Sequence, residues 1–209
     1  MDLHLSHPPR SLDGFPERRL EAGARLWTVH PDDRWPWSCA ADGDGRFDLE
    51  EPWGTCYLSM DPLGALIECC CRRSPEVDED ALLQARLSVM RLDRDLRLAD
   101  VAHPRSFGYG VTAEVHSIGD YAATQAWARA FREAGFDGVH YLLRHDPSRS
   151  LRGVARFGPA GERREWPRPD TGRFGEGLLR EAAERFGIRY SAARTSAAAR
   201  SPDSTAPSM

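Results

Sequence analysis

Lysine and asparagine are both missing from this 209-residue chain, and each absence removes whole mechanisms. Without lysine there is no Schiff-base amine and no Walker-type phosphate loop, and without asparagine there is no papain-like site oriented by one. All 28 basic residues are therefore arginines. A coding sequence biased towards Arg, Ala, Gly and Pro explains this more simply than function does, but the exclusions hold regardless. Also missing is any apolar run near the ~20 residues that cross a bilayer. Met1 to Arg10 carries His4, His7, Pro8 and Pro9 where a signal peptide would have its apolar core. A cytoplasmic protein without membrane association is expected. Five cysteines, three of them adjacent at Cys69, Cys70 and Cys71, match neither a disulfide framework nor a zinc site, so reduced, partly buried thiols are expected. The seven histidines show no HExxH or HxH spacing, and no metal is expected. A net charge of -4, with acidic and basic residues interspersed, speaks against direct nucleic-acid binding.

What is present fits a soluble globular domain, with 41% hydrophobic and 29% charged residues and length enough for one core. Residues 1–21, rich in Pro, His and charge, read as a loosely held arm. Residues 191–209 hold little to bury and read as a disordered tail, which leaves a domain over 22–190. Within it, Ala24–His30 and Gly54–Met60 have strand character, as do Val139–Leu143 and Arg152–Phe157. Ala81–Asp93 shows apolar period two and Leu96–Val101 predicts another strand. Asp61-Pro62 supplies a cap and a proline for the first turn of a helix with Leu63, Leu66, Ile67 and Cys70 on one face. Asp120–Ala134 predicts a second helix, capped by Asp120, striped by Ala123, Trp127, Ala130, Phe131 and Ala134, and stopped at Gly135. Glu176–Phe186 predicts a third. Strands outnumber helices and do not alternate with them, so the class is α+β, a compact mixed sheet flanked by helices.

Three residues stand out for chemistry. Arg46 sits in Gly-Asp-Gly-Arg-Phe-Asp, a glycine-flanked turn from which a planar fork of donors can approach a phosphate. Its ordinary reading is a surface arginine paired with Asp44 or Asp48. Tyr57 lies in the middle of an apolar strand, either as a core tyrosine or with its ring against a nicotinamide or ribose. Glu68 falls off the apolar stripe of its helix, either paired with Arg72 one turn on or placed to stabilise a ribosyl cation while bonding a ribose hydroxyl. His30 and His145 lie near these segments, and solvated side chains are the simpler reading of both. Consecutive cysteines on a helix point ~100° apart and share no site, so packing explains Cys69 to Cys71 better than nucleophilic work.

Taken together, the GRFD turn, the GTCYL strand, the ALIE helix segment, DYAATQAWARAF, and Gly-Phe-Asp-Gly-Val-His-Tyr followed by Arg144-His145-Asp146-Pro147 are similar in order and spacing to the RES family. That family is named for a shared arginine, glutamate and serine. The resemblance implies a fold similar to ADP-ribosyltransferase toxins. It also implies NAD as substrate, cleaved at the nicotinamide bond by hydrolysis or by phosphorolysis with inorganic phosphate, and no bound cofactor. The expected partner is an Xre-type antitoxin, and a homodimer is an open alternative. Arg46, Tyr57 and Glu68 match the family's catalytic positions, and Arg46 and Tyr57 also its substrate grip, to which Arg25, Trp27, Thr28 and Thr124 are added as contacts. The sequence departs from the pattern at Thr28, where the family's first arginine is expected, with Arg25 three residues earlier. It departs again at Ala122, where a serine is expected, with Thr124 the nearest hydroxyl. A second reading follows from those departures: a degenerate RES domain that binds a nucleotide or a protein without turnover.

Overall fold

The computed structural model describes residues 4–71 and 74–191. The strands are β1 (Glu17–Leu20), β2 (Arg25–Pro31), β3 (Ser38–Cys39), β4 (Trp53–Ser59), β5 (Glu76–Asp78), β6 (Ala85–Arg91), β7 (Leu96–Asp100), β8 (Gly138–Leu142), β9 (Arg152–Pro159), β10 (Gly161–Glu162), β11 (Asp170–Gly172) and β12 (Arg189–Ser191). The helices are α1 (Pro62–Cys70), α2 (Glu79–Gln84), α3 (Ala122–Glu133) and α4 (Glu176–Phe186), and two short 3-10 turns cover Pro104–Tyr109 and Ala113–His116. Eight strands form one mixed sheet in the order β1-β7-β8-β9-β4-β2-β6-β11. Its pairs are antiparallel except β7 with β8, which are parallel and joined by a crossover containing α3. The class is α+β, as the pattern of elements implies. Among the described residues no helix is long and apolar enough to cross a membrane.

Local chemistry accounts for the helix ends. Asp61 Oδ1 accepts the Leu63 N–H at 2.8 Å and Pro62 opens α1, where its missing N–H costs nothing. α3 starts at Ala122, one residue later than the expected cap implies, although Asp120 Oδ1 still accepts the Ala122 N–H at 3.1 Å. Its fully buried residues are Thr124, Trp127, Ala128 and Phe131, with Ala123 and Ala130 of the expected stripe packed beside them, so Thr124 and Ala128 are added to that stripe. Trp127 and Phe131, both fully buried, are the large side chains of that face. Gly135 adopts φ +79, and the Phe136 N–H closes on the Phe131 carbonyl at 3.0 Å.

Two cores result. On one face of the sheet α1, α3 and α4 pack Leu63, Leu66, Ile67, Trp127, Phe131 and Ala182 against Val139, Ala155 and Phe157. The opposite face holds Leu26, Leu58, Met90, Leu98 and Val154 beneath the tryptophan-rich loops that carry Trp37 and Trp166. Arg156 enters this second core at 2% exposure, its guanidinium 3.6 Å from the Trp166 ring centroid and 5.1 Å from that of Trp37. Its Nη2 donates to Asp93 at 2.7 Å.

Two expectations are corrected here. The described part of the arm, residues 4–21, is built into the fold: β1 pairs antiparallel with β7, Phe15 is 4% exposed, and the Trp127 indole N–H donates to the Ser6 carbonyl at 2.7 Å. Buried apolar side chains at Leu5, Leu12 and Phe15 outweigh the prolines and charges around them. The period-two stretch from Ala81 splits into α2 and β6, because Asp78 accepts the Asp80 N–H at 2.9 Å and starts a helix before the strand. Ser191 ends β12, and the expected tail beyond it lies outside the described residues.

Candidate active site

The Arg46 turn is built by hydrogen bonds that leave its backbone little freedom. Gly43 takes φ +81, and Gly45 has no room for a Cβ, which would strike the Asp48 carboxylate and the Tyr57 hydroxyl. The Gly45 N–H donates to Asp48 Oδ2 at 2.8 Å, and Tyr57 Oη donates to Asp48 Oδ1 at 2.7 Å while accepting the Phe47 N–H at 2.8 Å. From α3, Gln125 Nε2 donates to the Gly43 and Gly45 carbonyls at 2.8 and 2.9 Å. Arg46 is held between these anchors at 8% exposure, its guanidinium 5.9 Å from the Tyr121 ring centroid. Its Nε has no hydrogen-bond partner, and no carboxylate forms an ion pair with it, among the described residues. The expected alternative pairing with Asp48 does not form, since Tyr57 and Gly45 occupy that carboxylate.

Tyr57 stands on β4 opposite Ala155 of β9. Burial, with the Asp48 charge beside it, holds its phenol well above the ordinary value, so it stays protonated. With its hydroxyl engaged twice, what it offers a ligand is the face of the ring.

Glu68 leaves α1 on the same side of the sheet. Its Oε1 accepts both the backbone N–H of His145, at 3.1 Å, and the His145 ring Nδ1, at 2.9 Å. Burial pushes the carboxyl up, but the two bonds and the charge of His145, with Arg46 behind them, outweigh it and leave the pKa below the ordinary value. Glu68 is a carboxylate at neutral pH. Arg72, the alternative partner, lies outside the described residues.

These groups converge. Arg46, Tyr57 and Glu68 line one cavity of about 530 Å³ together with Asp44, Gly45, Tyr121, Tyr141, Arg144 and His145. That volume is in the ~300 to 1,000 Å³ range of small-molecule sites. A smaller hollow of about 130 Å³ shares Tyr57, Glu68 and Tyr141 with it and is bordered by Trp27 and Thr28. Trp27 is paired with Ser59, which puts it on the face that carries Tyr57, whereas Thr28 is opposite Ser88, one step out of phase.

The other expected contacts are not brought to the cavity. Arg25 is exposed at the start of β2 opposite Arg91 and borders neither hollow. Thr124 is fully buried in the α3 interface, its hydroxyl donating to the Tyr121 carbonyl at 3.0 Å. His30 is buried, with Nε2 2.8 Å from Ser88 Oγ. His145 is not the solvated side chain expected of it. Gln125, Asp48, Tyr121, Tyr141 and Arg144 belong to the same site; all five lie within the motifs quoted from the sequence, but none was singled out there.

Among the described residues no three His, Cys, Asp or Glu side chains are grouped to hold a metal ion. None of the five cysteines forms a disulfide among the described residues. Cys69 beside it, together with burial, holds the Cys70 thiol far above its ordinary value, and burial lifts Cys71 to about 11, so neither is a thiolate at neutral pH.

The model of one protein family, the RES domain, matches residues 24–160, which span every residue that lines the cavity. No curated protein sequence matches the chain. Among solved structures, a chain of the M. tuberculosis MbcT-MbcA toxin-antitoxin complex is similar in fold, with a TM-score of 0.58 at 16% identity over 79% of this chain and 92% of that one. A family match across most of the chain settles the membership: the chain belongs to the RES domain family.

Proposed function

We propose that this protein cleaves the N-glycosidic bond between nicotinamide and ribose in NAD. The observation that carries the reading is Arg46, a buried guanidinium without an ion-pair partner among the described residues, facing the same cavity as the Glu68 carboxylate. A cation buried without a counter-charge is costly, and an anionic ligand relieves that cost. The pyrophosphate of a dinucleotide supplies such an anion, and the guanidinium fork suits its oxygens. Tyr57 presents its ring to the nicotinamide or ribose. As the C–N bond breaks, nicotinamide leaves with the bonding electron pair and positive charge develops on the ribose C1 and ring oxygen. Glu68, anionic at neutral pH, stabilises that charge. Water then adds and loses a proton, or inorganic phosphate adds, and the sugar cation is captured. An Xre-type antitoxin that blocks this cavity is the partner we propose, supported by the toxin-antitoxin complex in which the similar fold occurs.

Release of nicotinamide from NAD by the purified protein, with and without phosphate, tests the reading. Glu68→Ala is expected to lower kcat by ~100 to 1,000-fold, the scale of losing one preorganised electrostatic group. Wild-type protein that releases no more nicotinamide than this variant would remove the enzymatic claim. The second reading, a module that binds without turnover, is favoured by Arg25 and Thr124 lying away from the cavity. Calorimetry with NAD and ADP-ribose separates the two, because a binding module gives heat and consumes nothing.

A further inference from the structure

Glu68 is gripped by a residue to which neither the family pattern nor the cleavage scheme gives a role. We propose that His145 is a positioning residue for Glu68, fixing the direction in which this carboxylate faces the cavity by placing two donors of one residue on one of its oxygens. The proposal rests on the NAD-cleaving reading for its kinetic part only.

The geometry is a two-point grip. The His145 backbone N–H and its ring Nδ1 reach Glu68 Oε1 at 3.1 and 2.9 Å, so rotating the carboxylate breaks both bonds together. A carboxylate has only acceptors, so Nδ1 carries the proton. Both side chains are about three-quarters buried, 26% exposed for His145 and 27% for Glu68, which strengthens the contact relative to one in water.

The loop behind His145 is itself fixed. Asp146, at 2% exposure, accepts the N–H groups of Ser148, Ser150 and Leu151 at 2.9, 2.6 and 2.7 Å. The Leu143 N–H donates to the Leu151 carbonyl at 3.2 Å and closes the loop at its base. Asp146 thus holds the loop shape, and the His145 backbone N–H already ties the loop to α1. For either purpose the ring bond is redundant, so its effect falls on the carboxylate. Among the described residues the charged and titratable groups facing this pair are Arg46, Asp44, Tyr57, Tyr121, Tyr141 and Arg144 from the cavity, Cys69 from the smaller hollow, and Cys71, Asp146 and Arg185 from a groove on the far side of His145.

Three variants test the assignment. His145→Asn keeps an N–H donor where Nδ1 stood, His145→Gln moves the donor to the far side of the ring position, and His145→Leu removes it. With the NAD reading intact, His145→Leu and His145→Gln are expected to lose ~10 to 100-fold in kcat, the cost of a misaimed group, with KM for NAD held within about twofold. His145→Asn is expected to recover most of that loss. A readout independent of activity is the titration of the Glu68 side-chain carboxyl by carbon NMR, which should move upward in His145→Leu and His145→Gln and return towards the wild-type position in His145→Asn. If the Glu68 titration is unchanged in both the Leu and the Gln variant, or Asn behaves as Leu does, the positioning role is overturned. A shifted titration in a protein whose wild type releases no nicotinamide would support the grip and sink the NAD reading, so the two failures are separable. Should His145→Leu fail to fold, the Gln and Asn pair carries the same contrast.

Discussion

Among the described residues two arginines are buried, one on each face of the central sheet, and they differ in what surrounds them. Arg156 is sandwiched by Trp37 and Trp166 and paired with Asp93, and it lines neither hollow of the site. Arg46 has the partial company of Tyr121, no ion pair among the described residues, and an open cavity before it. Both have an Nε without a hydrogen-bond partner among the described residues, so an unsatisfied donor alone does not separate them. What separates them is whether the cation is answered within the protein, by indole faces and a carboxylate, or left for something outside to answer.

That contrast can be broken most sharply from the structural side. Arg156→Leu removes the filling between two indoles and leaves Asp93 without its partner, so a loss of ~3 kcal/mol or more is expected. For a chain of this size that corresponds to a fall in Tm of roughly 5 to 10 °C in a thermal melt. NAD binding by the folded variant should stay within about twofold of wild type by calorimetry. Arg46→Leu is the converse. Losing a charged hydrogen bond to phosphate is expected to cost ~1.5 to 3 kcal/mol of NAD binding, or ~10 to 100-fold in affinity, while the melt moves by less than ~1 kcal/mol. If Arg46→Leu melts as low as Arg156→Leu, Arg46 is structural and the distinction fails.

Acid stability sharpens the contrast further. His116 is pulled down to about 4, by burial first and then by the charge of Arg46. A histidine whose folded pKa lies below its unfolded value of ~6.5 gives full stabilisation above that value and loses it as the pH falls towards the folded pKa. Roughly 2 kcal/mol should therefore disappear between about pH 6.5 and pH 5. His116→Gln should flatten that limb in denaturant titrations, and Arg46→Leu should shorten it. The smallest effect is expected at Gln125, which supports the turn without touching a ligand: Gln125→Leu should raise KM for NAD by a few-fold, ~1 kcal/mol, with kcat nearly unchanged.

Legibility followed distance along the chain. α1, α4, β4 and β9 were readable because their signals are local: Asp61-Pro62 before an apolar stripe, or alternation over a few residues. β1 was not, because Glu17–Leu20 becomes a strand only by pairing with Leu96–Ala99, far off in sequence. At the site, Arg46, Tyr57 and Glu68 were legible from a motif whose order is fixed. Arg25, in phase with Trp27 but at the start of β2, borders neither hollow, Thr28 borders only the smaller one, and Thr124 turns into the α3 interface, because proximity in sequence does not say where a side chain ends up. Register decides that: Trp27 meets Ser59 and faces the Tyr57 side, while its neighbour meets Ser88. Gln125 was hidden for the same reason, since its partners Gly43 and Gly45 are brought to it by the tertiary fold alone.

The short strand at the sheet's outer margin bears on how this protein is handled at the bench. A clone trimmed to the span that the family model matches, 24–160, would delete β1 and bare the backbone of β7 as a sticky border. It would also strip α4, whose Ala182 is fully buried in the same core as Leu63 and Trp127, from its seat. Such a fragment should precipitate or clump in solution, and its silence in an assay would be a fault of the scissors, with no bearing on the chemistry.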